Sequence, residues 1–392
     1  MREWFFPTAF SHWGDEERAA IDRVMTSGRF TQGEEVAAFE AEVAAFHGRA
    51  HGVMVNSGSS ANLIAVSALR HLGLIKAGDK AIVPALAWST TYAPLVEHGI
   101  DLVLVDCDET WNADPYSMRD PGDVKLVVAC SILGIPADLP AWQNAAGVFG
   151  APLIEDNCES LGASIISGLV TVGAQPHGSF GRACGSFGLM STSSFFYSHQ
   201  ISAIEGGMVL TDDDECDDVL RMLRAHGWTR DQRMPLVTPV RFEDEYDFQV
   251  FGYNVRGLEL HAAVAREQLK KLPGFVKARR ANAEMFDRLV MDDGLPVILP
   301  VPNGETSPFG LHFMVKDGET RNRAARALRA AGIDCRPPTG GSFTKHAYGK
   351  AWANQPTPRA DLIHDTGMFL GNAPFDIGDK IARAVEIMRG IL

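Results

Sequence analysis

The chain has 392 residues, 46% of them hydrophobic and 22% charged, enough to bury a large core and fill two unequal domains. Its formal net charge of -13 argues against a nucleic-acid or anionic-membrane partner, so a phosphate needs a local pocket that overcomes the global field. No stretch of bilayer length is free of charges, and the apolar run Trp4-Phe5-Phe6 is too short for a signal peptide. The six cysteines (107, 130, 158, 184, 216 and 335) are scattered without a CxxC spacing, which suits reduced thiols in a cytoplasm rather than disulfides or a metal.

In chain order, residues 15–27 and 34–47 carry apolar side chains at three- and four-residue spacing and predict helices. Gly52-Val53-Met54-Val55 predicts a strand and 59–72 a helix. Ala81-Ile82-Val83-Pro84, Leu102-Val103-Leu104-Val105 and Leu126-Val127-Val128-Ala129 predict short buried strands of a mainly parallel sheet. Segment 164–186, rich in glycine and serine, reads as an extended loop. Strand-like Gly207-Met208-Val209-Leu210 precedes a helix at 213–225. This alternation predicts a doubly wound α/β sheet with ligands at the strands' carboxyl ends.

Beyond residue 273 the texture changes. Val297-Ile298-Leu299 and His312-Phe313-Met314-Val315 read as strands, followed by a helix at 320–331, a short strand around Ile333 and a helix at 378–391. The expected division is a large domain at 1–273 and a small α+β domain at 274–392, joined by a helix at 258–290.

Four segments could carry chemistry. Asn56-Ser57-Gly58-Ser59-Ser60-Ala61-Asn62 follows a strand and opens a helix, where exposed amides suit either a phosphate or plain capping. Glu155-Asp156-Asn157-Cys158-Glu159 follows apolar Leu153-Ile154. A carboxylate there is costly unless a cation meets it, and a capping aspartate is the bland alternative. Ser193-Ser194-Phe195-Phe196-Tyr197-Ser198-His199-Gln200 precedes Glu205-Gly206-Gly207; a lone histidine is more often structural than catalytic. Trp88 ends Pro84-Ala85-Leu86-Ala87-Trp88 and could stack on a flat ring or simply fill a core.

In their order along the chain these segments resemble the DegT/DnrJ/EryC1/StrS family of sugar aminotransferases, from Gly28-Arg29-Phe30-Thr31-Gln32-Gly33 to Gly332-Ile333-Asp334-Cys335-Arg336-Pro337. Arg224-Ala225-His226-Gly227-Trp228-Thr229-Arg230 and Gly252-Tyr253-Asn254-Val255-Arg256 extend the likeness. The resemblance implies the aspartate-aminotransferase type I fold, with a large mainly parallel sheet domain and a smaller α+β C-terminal domain. In that family a lysine stands six residues before Glu-Gly-Gly. His199 holds the place here, which marks the dehydratase branch. The implied cofactor is pyridoxal 5'-phosphate, worked as pyridoxamine 5'-phosphate and held without a covalent bond. Asp156 would pair with the pyridine nitrogen, Trp88 stack on the ring and Glu159 support its polar edge. Gly58, Ser59 and Ser194 would hold the phosphate, with Asn254 reaching in from the second subunit of a homodimer.

The implied reaction removes the C3 hydroxyl of a nucleotide-linked 4-keto-6-deoxy sugar, GDP-4-keto-6-deoxy-D-mannose in the first place, with L-glutamate restoring the amine. His199, ordinarily titrating near ~6.5, would take the proton from the cofactor and return it to the leaving oxygen. Gln200, where the branch has a second histidine, and a longer 164–186 loop bear on which sugar nucleotide fits. A lysine-free aminotransferase and a catalytically silent sensor remain the competing readings.

Overall fold

The computed structural model describes residues 4–10, 12–118, 121–166, 181–232 and 242–392. Two helices open the chain, α1 (Asp15–Ser27) and α2 (Glu34–His47). Next come β1 (His51–Val55), α3 (Gly58–His71), β2 (Lys80–Pro84), α4 (Ser89–Glu97), β3 (Asp101–Val105) and β4 (Val124–Cys130). After α5 (Leu139–Phe149) follow β5 (Leu153–Asp156), β6 (Ser164–Ile166), β7 (Gly181–Ala183), β8 (Met190–Ser194), β9 (Gly207–Thr211) and α6 (Asp214–Arg224). The long α7 (Glu259–Asp292) leads to β10 (Gly310–Met314), α8 (Gly318–Ala330), β11 (Cys335–Arg336), α9 (Pro358–Thr366), β12 (Gly367–Gly371) and α10 (Gly378–Arg389).

Seven strands form the main sheet in the order β1-β9-β8-β5-β4-β2-β3. β9 alone runs against its neighbours, and the other pairings are parallel. Successive residues of a strand face opposite sides, so both faces must be apolar when helices cover both. Val53 and Val55 join a core with Ile64, Leu69 and Leu220 from α3 and α6, while Met54 between them packs with Phe39 and Phe275 from α2 and α7. Across the sheet, Ile82 and Val127 meet Trp142 of α5.

A buried ion network ties three of these elements together. Glu40 of α2 pairs with Arg221 at 3.1 Å and Arg224 at 2.5 Å, both on α6, and accepts the Met54 amide of β1 at 2.9 Å. Aspartates and a glutamate in the first turn of α6 and arginines in its last turn also suit the helix dipole.

The C-terminal sheet is antiparallel, β10-β12-β11, with its own core of Leu311, Phe313, Leu370 and Phe286. α7 serves both cores: Leu272 and Phe275 belong to the first, Phe286 and Val290 to the second. The expected boundary at 273 therefore falls inside a continuous helix.

Three expectations change. Val297-Ile298-Leu299 is not a strand: only Ile298 bridges to Met314, because Pro296 and Pro300 at its ends cannot donate to a ladder. The strand near Ile333 is Cys335–Arg336, and Ile333 itself makes a parallel bridge to Phe6. The 164–186 segment is not all loop, since β6 and β7 pair as an antiparallel ribbon; its residues 167–180 lie outside the described ones. Among the described residues no helix is long and apolar enough to cross a membrane.

His312 on β10 yields a stability test. Its Nε2 is buried without a partner, between Trp111 and Phe369, and burial lowers its pKa from 6.5 to about 3. The fold thus keeps the ring neutral while the unfolded chain takes up a proton below pH 6.5, so acid destabilises the fold through this group. Between pH 8 and pH 5 the stability gap between His312→Phe and the parent should move in favour of the variant by about 2 kcal/mol. Urea unfolding at both pH values measures it; a gap that does not change would show that His312 protonates inside the fold.

Candidate active site

The carboxyl ends of β4, β5 and β8, the start of α3 and the loop after β11 enclose a cavity of about 700 Å³. Asp156, Glu159, Gly58, Ser59, Ser194, Trp88 and His199 all line it, although they come from four separate stretches of chain. Convergence of this kind follows from the parallel topology, which places successive strand ends at one edge.

Asp156 is the last residue of β5 and is 4% exposed. Its Oδ2 accepts from Asn62 Nδ2 at 2.9 Å and Thr91 Oγ1 at 2.7 Å, and its Oδ1 from the Cys158 amide at 3.2 Å. Thr192 of β8 in turn donates to Asn62 Oδ1 at 2.7 Å, which holds the amide in that orientation. No lysine or arginine among the described residues forms an ion pair with Asp156. A buried carboxylate so aimed calls for a cation from a ligand, and a protonated pyridine nitrogen meets that need.

The start of α3 presents main-chain donors suited to an anion. Ser57 caps it, its Oγ accepting from the Ser60 amide at 3.1 Å, and the first amides of the helix have no acceptor within it. A Cβ on Gly58 would lie 2.7 Å from Ser194 Cβ and 2.8 Å from Cys158 Sγ, so only glycine lets the helix start approach the end of β8. Gly207 is under the same constraint, since its Cβ would stand 2.2 Å from the Ser57 carbonyl oxygen. Ser59 is tied to Thr90 at 2.9 Å.

Trp88 does not end a strand; it is the N-cap residue of α4, four residues past β2, and its ring is 55% exposed toward the cavity mouth. That leaves a broad aromatic face free for a flat ligand. Glu159 accepts from the Leu133 amide and from Thr339 Oγ1, both at 2.7 Å. Burial raises its pKa, the two donors partly oppose this, and Asp156 adds repulsion.

His199 follows β8 by five residues. Its ring packs against Phe309, with centroids 5.2 Å apart, and its buried Nδ1 has no hydrogen-bond partner among the described residues, which leaves Nε2 to the cavity. Burial, and after it the charge of Arg279, lowers its pKa to about 4, so the ring is neutral at pH 7. No lysine lines the cavity among the described residues.

Two expected residues behave otherwise. Asn254 is exposed and outside the cavity of its own chain, bridged through its main chain to Ala225. Gln200 also misses the cavity: it is 2% exposed and its Nε2 donates to the carbonyls of Glu159 and, at 3.0 Å, Ser307. It clamps the floor and does not face a substrate. Residues the sequence reading passed over include Asn62 and Thr91, which aim Asp156. Arg336, the lone lysine or arginine among the described lining residues, and Thr339 were missed too. Asn62 and Arg336 stood inside the quoted motifs, but nothing in sequence spacing shows where their side chains turn.

The chain matches the DegT/DnrJ/EryC1/StrS aminotransferase family over residues 12–389. It is 38% identical over 402 residues to the GDP-4-keto-6-deoxy-D-mannose 3-dehydratase of Escherichia coli O55:H7, covering 98% of this chain and 99% of that one. Among solved structures, a GDP-4-keto-6-deoxymannose-3-dehydratase mutant with bound GDP-perosamine superimposes with a TM-score of 0.88 at 36% identity, over 98% of this chain and 100% of that one. The same enzyme with a trapped PLP-glutamate adduct gives 0.86 at 35%, again over 98% and 100%. By this match along nearly its whole length, the chain belongs to the DegT/DnrJ/EryC1/StrS aminotransferase family.

Proposed function

We propose that this protein is a pyridoxamine-phosphate-dependent 3-dehydratase of a GDP-linked 4-keto-6-deoxy sugar, GDP-4-keto-6-deoxy-D-mannose, with L-glutamate as the second substrate. One observation carries the reading: His199, a neutral acceptor, opens onto a cavity with no lysine among its described lining residues. The 38% identity to a dehydratase of that sugar nucleotide supports the substrate.

When bound, the cofactor supplies an amine for the C4 ketone and a ring that relays two electrons to C3 as its hydroxyl leaves. Asp156 accepts the pyridinium N–H and keeps that proton in place. Trp88 covers one ring face and shields it from water. Glu159 supports the ring's polar edge, while Gly58, Ser59 and Ser194 hold the phosphate at the start of α3. With the cofactor in place, His199 Nε2 would move a proton from its C4' carbon to the departing C3 oxygen, which would leave as water. The bound group would supply the two electrons that the sugar gains at C3, and release of ammonia followed by transamination with L-glutamate, departing as 2-oxoglutarate, would close the cycle.

The functional unit is a homodimer in which Asn254 serves the partner's cavity. An exposed aromatic strip beside it supports this, with Tyr246 67%, Phe248 54% and Phe251 104% exposed. The large domain spans 1–273 and the small domain 274–392. The reaction belongs in the cytoplasm, where six free cysteines stay reduced.

Mass spectrometry of GDP-4-keto-6-deoxy-D-mannose incubated with enzyme, pyridoxal phosphate and L-glutamate should show a sugar that has lost one oxygen and kept no nitrogen. An amino sugar would instead make the protein an aminotransferase. His199→Asn should bind cofactor as before and lose about 10²–10⁴ in kcat. His199→Lys should form a covalent cofactor bond visible in the absorbance spectrum and stop deoxygenation; undiminished deoxygenation would sink the role of His199. Gly58→Ala should weaken pyridoxal phosphate binding at least ~10-fold by pushing the helix start off Ser194, read by fluorescence titration.

A further inference from the structure

Behind the His199 loop lies a guanidinium that the reaction above does not use. Arg279 of α7 is 1% exposed. Its Nη1 donates to the Asn372 carbonyl at 2.7 Å and the Phe309 carbonyl at 3.5 Å, and its Nη2 to the His199 carbonyl at 3.4 Å. All three acceptors are neutral main-chain groups. Burial lowers the guanidinium to about 10, which still leaves it charged at neutral pH.

Desolvating a cation costs several kcal/mol, and tying down carbonyls does not require one. Asn282, one turn along the same helix, clamps the Ala373 and Phe375 carbonyls at 3.1 and 2.9 Å with a neutral amide. The charge at 279 therefore does something that a tether alone does not.

What it reaches is the imidazole. Phe196 and Phe309 flank that ring, with centroids at 6.0 and 5.2 Å, and Arg279 is the charged group whose field acts on it from behind. On the cavity side the titratable and charged groups among the described residues are Asp156, Cys158, Glu159, Tyr197, Glu205 and Arg336. Acid–base histidines are commonly oriented by a carboxylate on the far nitrogen, yet Nδ1 of His199 has no hydrogen-bond partner.

We propose that Arg279 is a positioning residue for His199: it anchors the main chain of the loop and sets a buried positive charge behind the imidazole. The proposal rests on His199 being the group that moves the proton. Once Nε2 has taken the cofactor's proton, the like charge behind it favours release to the leaving C3 oxygen, which is the transfer this cation assists.

The test is an NMR titration of the His199 ring in the full-length enzyme, its signal assigned by its loss in His199→Asn. In Arg279→Met the midpoint should rise by about one pH unit above the parent, and Arg279→Lys, which keeps the charge, should stay near the parent. The acid limb of kcat should move with it while KM changes little. A purely structural tether would give both variants equal damage and an unmoved midpoint, and that result overturns the proposal. A parent midpoint near 6.5 overturns it too, without any variant. Arg279→Gln replaces Arg279→Met if the latter does not fold. Should the midpoint move while His199→Asn keeps full activity, the coupling stands and the catalytic role of His199 falls.

Discussion

A buried carboxylate without a cation of its own sets the terms for everything around it. Asp156 ends a strand inside the protein, where leaving a charge unpaired costs several kcal/mol. Asn62 from α3, Thr91 from α4 and the Cys158 amide fix its two oxygens, and Thr192 from β8 fixes Asn62. Two helices and two strands are thus aligned on one acceptor whose remaining capacity faces the cavity. The close approach of Gly58 to Ser194 belongs to the same arrangement, because it brings the start of α3 and the His199 loop to the same strand ends.

The electrostatics of the site divide along the cavity. One wall carries Asp156 and Glu159, carboxylates suited to a cationic or hydrogen-bond-donating ring edge. The lining also carries a histidine kept neutral by burial and by the charge of Arg279. A lysine at 199 could bond covalently to an aldehyde cofactor, whereas an imidazole cannot form that imine. In the proposed reaction the difference between making an amino sugar and removing a hydroxyl turns on this side chain and on the field in which it sits.

Some elements were open to sequence reading and others were not. α1, α2 and α3 lie within one residue of the expected spans because amphipathic spacing and caps such as Ser57 are local signals. β8 was hidden: Met190-Ser191-Thr192-Ser193-Ser194 has neither apolar alternation nor an apolar run, and it is a central strand only because β5 and β9 pair with it. Its buried hydroxyls find partners far along the chain, Ser191 on the Gly185 carbonyl and Thr192 on Asn62. Gln200 is marked in the sequence only as a difference from the branch; the fold buries it and bonds its amide to the Glu159 and Ser307 carbonyls.

By itself the sequence determined the kind of protein: an α/β fold, the ordered motifs around Gly58, Asp156, Ser194 and His199, and a histidine where the family has a lysine. These are properties of local pattern and residue identity, and they survive without coordinates. Only the tertiary structure decided which nitrogen of His199 meets the cavity, that Asn254 lies outside its own chain's site, and that Arg279 sits behind the base. Arg279 is 80 residues from His199 along the chain. Nothing in spacing can register such a contact, because it exists only after α7 has packed against both cores and carried a charge into a place that water has left.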